Sequence, residues 1–439
     1  MTSDGCVERL HAALVVLAPD CPATEVNRIA ALIDEAMSGP ERAYHTLPHA
    51  LMVAGSDDPI EILIGLFHDL IQLEVDRGIP PCLERVLHDV DIKRVYRSSD
   101  DINAPDHRQI SCVHHSSARP PDRWTTTVQT IFRVAPDAEL TRVSGHNEFL
   151  SALVAARSLE PWLDAAAMIG LVAGIEATIP FRRDPRGSLH ELRESIRRLD
   201  QKNHLGLDTE QLDTLIRRAV RVANRDVQGF GDTHLAAFLS DTFTLLMESC
   251  PSRCSANTVQ FDVYRRALQK MTGFLSSISA AHVFRQFIDE PTLATHHDRQ
   301  RRTAFNLQVV VIVLSAKLLS TILLEAELGD DKPALSLISS PSPHPSTSHE
   351  EVDSNALQLL SSEAGWRWRS AVSPATVEVG MLTRWGGDNL LRKATEIQAL
   401  VAQYDAARVP EVRRELRTLI LSHYTHQDRE WAQRAARLS

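Results

Sequence analysis

Two histidines four residues apart, an adjacent His-Asp pair and a distant aspartate are the side chains of this chain best suited to metal chemistry. His45 and His49 lie in Tyr44-His-Thr-Leu-Pro-His-Ala50, His68 and Asp69 in Gly65-Leu-Phe-His-Asp-Leu70, and Asp226 in Val222-Ala-Asn-Arg-Asp-Val227. Imidazole nitrogens and carboxylate oxygens, delivered from separate helices into one cavity, make a mixed donor set for a divalent cation. Such a cation acidifies water and neutralises charge on phosphorus, which suits the cutting of a phosphate ester.

The elements that must carry these residues can be read from the pattern around them. His45 and His49 would share a helix face, but Pro48 is tolerated only in a first turn. The helix is therefore expected to start near Leu47, with His45 on the entering loop near the cavity mouth and His49 inside. Alone, the two could equally be capping or surface histidines. His68 and Asp69 interrupt the stretch Ile60 to Leu73, which is apolar on nearly every face and so belongs in the middle of a bundle. Its polar exceptions, Glu61, His68, Asp69 and Gln72, need partners, because an unpaired buried carboxylate costs several kcal/mol. A cation would serve, and so would a buried His–Asp hydrogen bond. Leu87-His-Asp-Val90 repeats the dipeptide among charged residues and reads as solvent-facing. Asp226 ends a helix whose apolar face carries Leu215, Val220, Val222 and Ala223; it matters only as a member of the set.

The remaining chain is helical by its three-and-four apolar spacing. Helices are expected over Val7–Leu17, Ala23–Met37, Pro81–Tyr96, His146–Leu159, Trp162–Thr178, Ser188–Arg198, Thr209–Arg225, Leu235–Ser249, Asp262–Ile278, Thr303–Leu328, Asn389–Tyr404 and Pro410–Leu438. No strand run of convincing length alternates, so the expected class is all-α. Arg119-Pro-Pro-Asp122 and Ile179-Pro-Phe-Arg-Arg-Asp-Pro185 read as loops. Ser339 to His349 is rich in Ser and Pro and has little to bury. The expected division is a metal-binding helical domain over 1–250, a helical extension over 251–330, a linker or loop over 331–355 and a C-terminal helical region over 356–439.

With 439 residues, 43% of them hydrophobic, the chain can build a large core. A formal charge of −10 argues against binding a nucleic-acid duplex, which needs a basic footprint. The six cysteines are scattered, and Cys250 and Cys254 lack a second pair to complete a zinc knot. The acidic start has no leader-like apolar core, and the apolar run Val309–Leu314 is too short to span a bilayer. A cytoplasmic protein with no membrane partner is expected.

Tyr-His-x-x-x-His-Ala, then Leu-Phe-His-Asp, then a late Ala-Asn-Arg-Asp resemble the HD superfamily of metal-dependent phosphohydrolases, which includes cyclic-nucleotide phosphodiesterases. Gly39-Pro-Glu-Arg-Ala-Tyr-His45, His146-Asn-Glu-Phe-Leu-Ser-Ala152 and Ile175-Glu-Ala-Thr-Ile-Pro-Phe-Arg182 are similar to bacterial HD phosphohydrolases in particular. The resemblance covers roughly residues 20 to 250. It implies an HD-type helical bundle with additional C-terminal helices. It implies His49, His68, Asp69 and Asp226 as ligands of Mn²⁺, Mg²⁺ or Fe²⁺, with Zn²⁺ as a further choice. His45 would be a proton donor beside the metal, and Asp226 could also take a proton from water. Where many relatives carry a further histidine three residues after the aspartate, this chain has Gln72, which weakens a second cation site; His114 and His115 could supply imidazoles. His146, Glu148 and Glu176 would line the cavity, and Arg182, Arg183 or Arg225 could hold a phosphate oxygen.

The expected activity is hydrolysis of a small phosphomonoester or phosphodiester, of nucleotide type, by attack of metal-bound hydroxide with His45 protonating the leaving oxygen. An HD-fold di-iron oxygenase and a catalytically silent nucleotide-binding regulatory module are the alternatives. The C-terminal third could mediate a homodimer, cover the active site or bind a partner.

Overall fold

Apolar residues at helical spacing build most of the molecule, and their burial places the candidate site where three helices meet. In the computed structural model, residues 2–88, 90–97, 108–115, 122–135, 140, 145–181, 185–249, 261–329, 377–406 and 410–438 are described. They divide into two compact units, Met1–Gln228 with Ser279–Gln300, and Gly229–Ile278 with Arg301–Ser439.

The first unit opens with α1 (Thr2–Leu17) and α2 (Ala23–Met37). Helix α2 buries Val26, Ile29, Ile33 and Met37 along one stripe and stops before Gly39-Pro40. Helix α3 (Leu47–Val53) begins where Pro48 requires, with the proline in its first turn and Thr46 as an extended N-cap. Helix α4 (Pro59–Phe67) is capped by Asp58, whose carboxylate accepts the backbone N–H groups of Ile60 and Glu61. Every residue of α4 from Ile60 to Phe67 is buried. The helix is shorter than its apolar run: His68 is its C-cap, and Asp69 and Leu70 turn away. His68 and Asp69 therefore close the central helix instead of interrupting it.

The expected helix Pro81–Tyr96 does not form. A single 3-10 turn over Pro81–Leu83 is followed by β1 (Val90–Arg97), which pairs antiparallel with β2 (Arg108–His115), Val90 opposite His115 and Arg97 opposite Arg108. Val90, Ile92, Val95 and Tyr96 are strand formers, and pairing with β2 decided a segment whose charges also suit a helix. Outside this hairpin the named elements among the described residues are helices, so the chain is all-α. Helix α5 (Arg123–Phe132) was not expected; Asp122 caps it by accepting Thr125 N–H.

Helices α6 (His146–Leu159), α7 (Ala165–Ala177), α8 (Pro185–Asn203) and α9 (Thr209–Asp226) complete this unit. A reciprocal capping box between Asp208 and Gln211 starts α9. Two glycines allow α4 to be central. A Cβ on Gly174 of α7 would lie 2.1 Å from the Ile64 side chain, and one on Gly65 would lie 2.4 Å from the backbone nitrogen of Ala54. The segment Ser279–Gln300 returns to this unit, where Asn224 and the Arg285 backbone exchange two hydrogen bonds of 2.9 and 2.8 Å. The unit thus ends at Gln228 and recovers a later strap, whereas a continuous domain to 250 was expected.

The second unit contains α10 (Leu235–Glu248), α11 (Phe261–Ser277), most of α12 (Leu293–Leu328), and helices over Val377–Ala406, Pro410–Ser422 and His426–Leu438. A buried ion pair, Arg265 Nε to Glu325 Oε2 at 2.7 Å, joins α11 to α12. The apolar run Val309–Leu314 sits inside α12, a 36-residue helix long and apolar enough to cross a bilayer; the most apolar window is 89% buried within the protein. The Ser/Pro-rich segment, Cys250, Cys254 and the Arg119-Pro-Pro stretch lie outside the described residues.

Candidate metal centre

Helix α3 carries His49, the end of α4 carries His68 and Asp69, and Asp226 is the last residue of α9. Their orientation follows from the packing. The His68 Nδ1–H group donates to the Gly65 carbonyl at 2.9 Å, which turns Nε2 toward the carboxylates. Glu61 aligns α9 with α4, accepting Arg221 Nε at 2.6 Å and pairing with Arg225 Nη2 at 2.8 Å. Arg225 Nε also donates to the Val53 carbonyl at the end of α3, at 2.9 Å. The buried acidic exception in the central helix is thus the anchor that brings Asp226 to the site.

One donor atom from each of His49, His68, Asp69 and Asp226 lies within 4.8 Å of the others. His68 Nε2 is 3.2 Å from Asp69 Oδ2 and 3.3 Å from Asp226 Oδ1; His49 Nε2 is 3.5 Å and 3.2 Å from the same atoms. A cation bonded to nitrogen and oxygen at ~2.1 Å separates adjacent donors by roughly 3.0–3.5 Å, which matches. The donor set and spacing therefore fit a divalent metal ion. His45 stands apart from the four: its Nε2 is 3.9 Å from Asp69 Oδ2, and its side chain is 19% exposed against 6% for His49. It is the more exposed of the two histidines, and it lies on the coil before α3, where Pro48 starts the helix. The Tyr44 ring packs 5.1 Å from His45 and 5.0 Å from His49.

Asp69 is held so that one oxygen faces the cluster. Gln72 Nε2 donates to Asp69 Oδ1 at 2.8 Å, and Asn147 Nδ2 donates to Gln72 Oε1 at 2.9 Å. Asn147 Oδ1 in turn accepts Leu73 N–H at 3.1 Å, tying α6 to the turn after α4. Asn147 was visible in the His146-Asn-Glu stretch but not singled out, because an amide has no ligand signature.

The electrostatics are those of a charge-paired cluster. Burial works against a charged His49, but hydrogen bonds and the negative charges of Asp226 and Asp69 overcome it and raise its pKa to about 9. Burial likewise disfavours a charged His68, and Asp69 and Asp226 raise its pKa well above the usual imidazole range. Asp69 is held well below the carboxylate range, its burial outweighed by His68, His45 and His49. Asp226 is also lowered, by His68 and His49 against burial. Glu148 goes the other way: burial, with Asp69 and Asp226 adding repulsion, pushes it up to about 7.

The other candidates separate. Glu176 is fully buried but pairs with Arg133 Nη2 at 2.5 Å, which makes it part of the scaffold. His146 is buried at the first turn of α6. Arg225 is engaged by Glu61 and Val53, so it is not a free phosphate clamp, and Arg182 and Arg183 lie outside the described residues. His114 and His115 are in β2, opposite Asp91 and Val90, and not on a loop. His88, of the second His-Asp dipeptide, is exposed.

Comparison with family models, curated proteins and solved structures returns no match.

Proposed function

We propose that this chain is a metal-dependent phosphohydrolase of HD type, acting on a small phosphomonoester or phosphodiester of nucleotide class. The observation that carries the reading is the meeting of His49, His68, Asp69 and Asp226 within 4.8 Å, from positions 177 residues apart, with His45 beside them. These four would hold the cation. Mixed nitrogen and oxygen donors favour Mn²⁺ or Fe²⁺ over Mg²⁺, with Zn²⁺ also compatible. A cation bound there supplies acidified water and neutralises charge on phosphorus.

The protein's own groups do the rest. Asp226, held ionised by His68 and His49, accepts the proton of the attacking water. His45, beside the ligands but outside their set, donates a proton to the leaving oxygen. Gln72 keeps Asp69 Oδ2 aimed inward. The same amide counts against a two-iron oxygenase, since the second cation would compete for Asp69 Oδ1, which already accepts the Gln72 N–H. The complete set of ligands and donor counts against a silent binding module.

The test is a panel of phosphatase and phosphodiesterase substrates, from nucleoside monophosphates to cyclic nucleotides, dinucleotides and pyrophosphates, with Mn²⁺-loaded protein. Turnover that His45→Ala abolishes is expected. No turnover of any phosphate ester, or turnover indifferent to His45→Ala, would overturn the proposal.

A further inference from the structure

Arg42 has no place in the chemistry above, yet every N–H of its guanidinium is engaged. Its guanidinium is fully buried, and its ion-pair partner Asp76 is nearly so. Nε donates to Asp76 Oδ1 at 2.8 Å and Nη2 to Asp76 Oδ2 at 2.6 Å, a two-point grip. Nη1 donates to the His45 carbonyl at 2.9 Å and the Asp69 carbonyl at 3.0 Å; Nη2 also donates to the Leu70 carbonyl at 2.9 Å. A guanidinium has five N–H donors, and all are engaged here. Asp76 Oδ2 also accepts Gln72 N–H at 3.0 Å, so the acid that grips Arg42 holds the backbone of the residue that orients Asp69.

We infer that Arg42 and Asp76 form a positioning unit for the metal site, fixing the loop that carries His45 against the turn that carries Asp69. His45 lies on the coil before α3 and Asp69 just past the end of α4, so neither is placed by helix hydrogen bonds alone. One planar cation bonded to both backbone carbonyls sets their separation, and with it the 3.9 Å between His45 Nε2 and Asp69 Oδ2. Lysine cannot substitute, because a single ammonium cannot span acceptors arranged around a fork. A buried ion pair is a poor source of stability compared with apolar packing, which leaves geometry as the reason to place one here. The inference rests on the metal-site reading, with Arg42 acting through His45 and Asp69 and never touching substrate.

The experiment compares wild type, Arg42→Lys and Asp76→Asn in the full chain. A control is Arg265→Lys, which alters the buried pair of the second unit. Mn²⁺ alone is titrated to obtain Kd, thermal melting reports folding, and kcat and KM are measured on the best substrate of the panel. Folded Arg42→Lys should bind Mn²⁺ about tenfold more weakly. Its kcat should fall roughly hundredfold with KM little changed, as for a misplaced catalytic group. Asp76→Asn should move both quantities in the same direction. Arg265→Lys should lower the melting temperature and leave Mn²⁺ affinity unchanged. Unaltered Mn²⁺ affinity and kcat in folded Arg42→Lys and Asp76→Asn would overturn the inference, as would failure of both variants to fold. If the wild type hydrolyses nothing, the functional proposal fails while the Mn²⁺ comparison still decides the role of the pair.

Discussion

Metal binding at this site should be steeply dependent on pH, with a sign set by the cluster. In the metal-free protein His49 titrates at about 9 and His68 well above the imidazole range, while Asp69 and Asp226 are ionised. At neutral pH both imidazoles thus carry a proton on the nitrogen that must bind the cation. Each proton released on binding makes the affinity rise about tenfold per pH unit, or ~1.4 kcal/mol. Release of the His49 proton alone gives that slope, and release from both gives about hundredfold per unit. Between about pH 6 and about pH 8 the Kd for Mn²⁺ should fall by between two and four orders of magnitude. The slope should slacken as pH passes the His49 value of about 9, where that proton is no longer there to release. Calorimetric titrations in two buffers of different ionisation enthalpy would count the protons directly. A Kd that changes less than about twofold across that range, with no protons released, would refute the reasoning.

Stability of the metal-free protein should follow the same groups. The raised His49 contributes stability that is complete below its unfolded value and lost as pH climbs through about 9, and the raised His68 adds stability of the same sign. The lowered Asp69 and Asp226 contribute stability present above their unfolded value and lost as pH falls. Thermal melts should therefore decline on both sides of neutrality, and saturating Mn²⁺ should remove the alkaline decline. His45→Ala should keep the metal, since His45 is outside the donor set, and lose turnover by about 10²- to 10⁴-fold on an active substrate. Gly65→Ala would place a Cβ 2.4 Å from the Ala54 nitrogen; a loss of roughly 1–3 kcal/mol in denaturant unfolding is expected.

Much of the site was legible in the chain because each part obeys a local rule. Pro48 set the start of α3 and so divided His45, on the preceding coil and partly exposed, from His49, in the helix and buried. The apolar run of α4 made His68 and Asp69 conspicuous, and the apolar stripe of α9 delivered Asp226. What was missed depends on contacts between distant segments. The strand Val90–Arg97 exists through pairing with Arg108–His115, which its mixed charge pattern does not announce. The end of α4 at Phe67 follows from a capping turn held by Arg42 and Ser151, whose hydroxyl accepts Ile71 N–H at 3.1 Å. Arg42 itself acts through backbone carbonyls, which carry no residue signature. The strap Ser279–Gln300 docks through the amide of Asn224, a residue indistinguishable by type from a surface asparagine.

The most direct measurement is the metal content of Mn²⁺-loaded protein after desalting, wild type beside Asp226→Ala. About one equivalent per chain is expected in the wild type, from a site of four protein donors, and almost none in the variant. Equal metal content in the two proteins, or none in the wild type, would contradict a cation held between the ends of α3, α4 and α9.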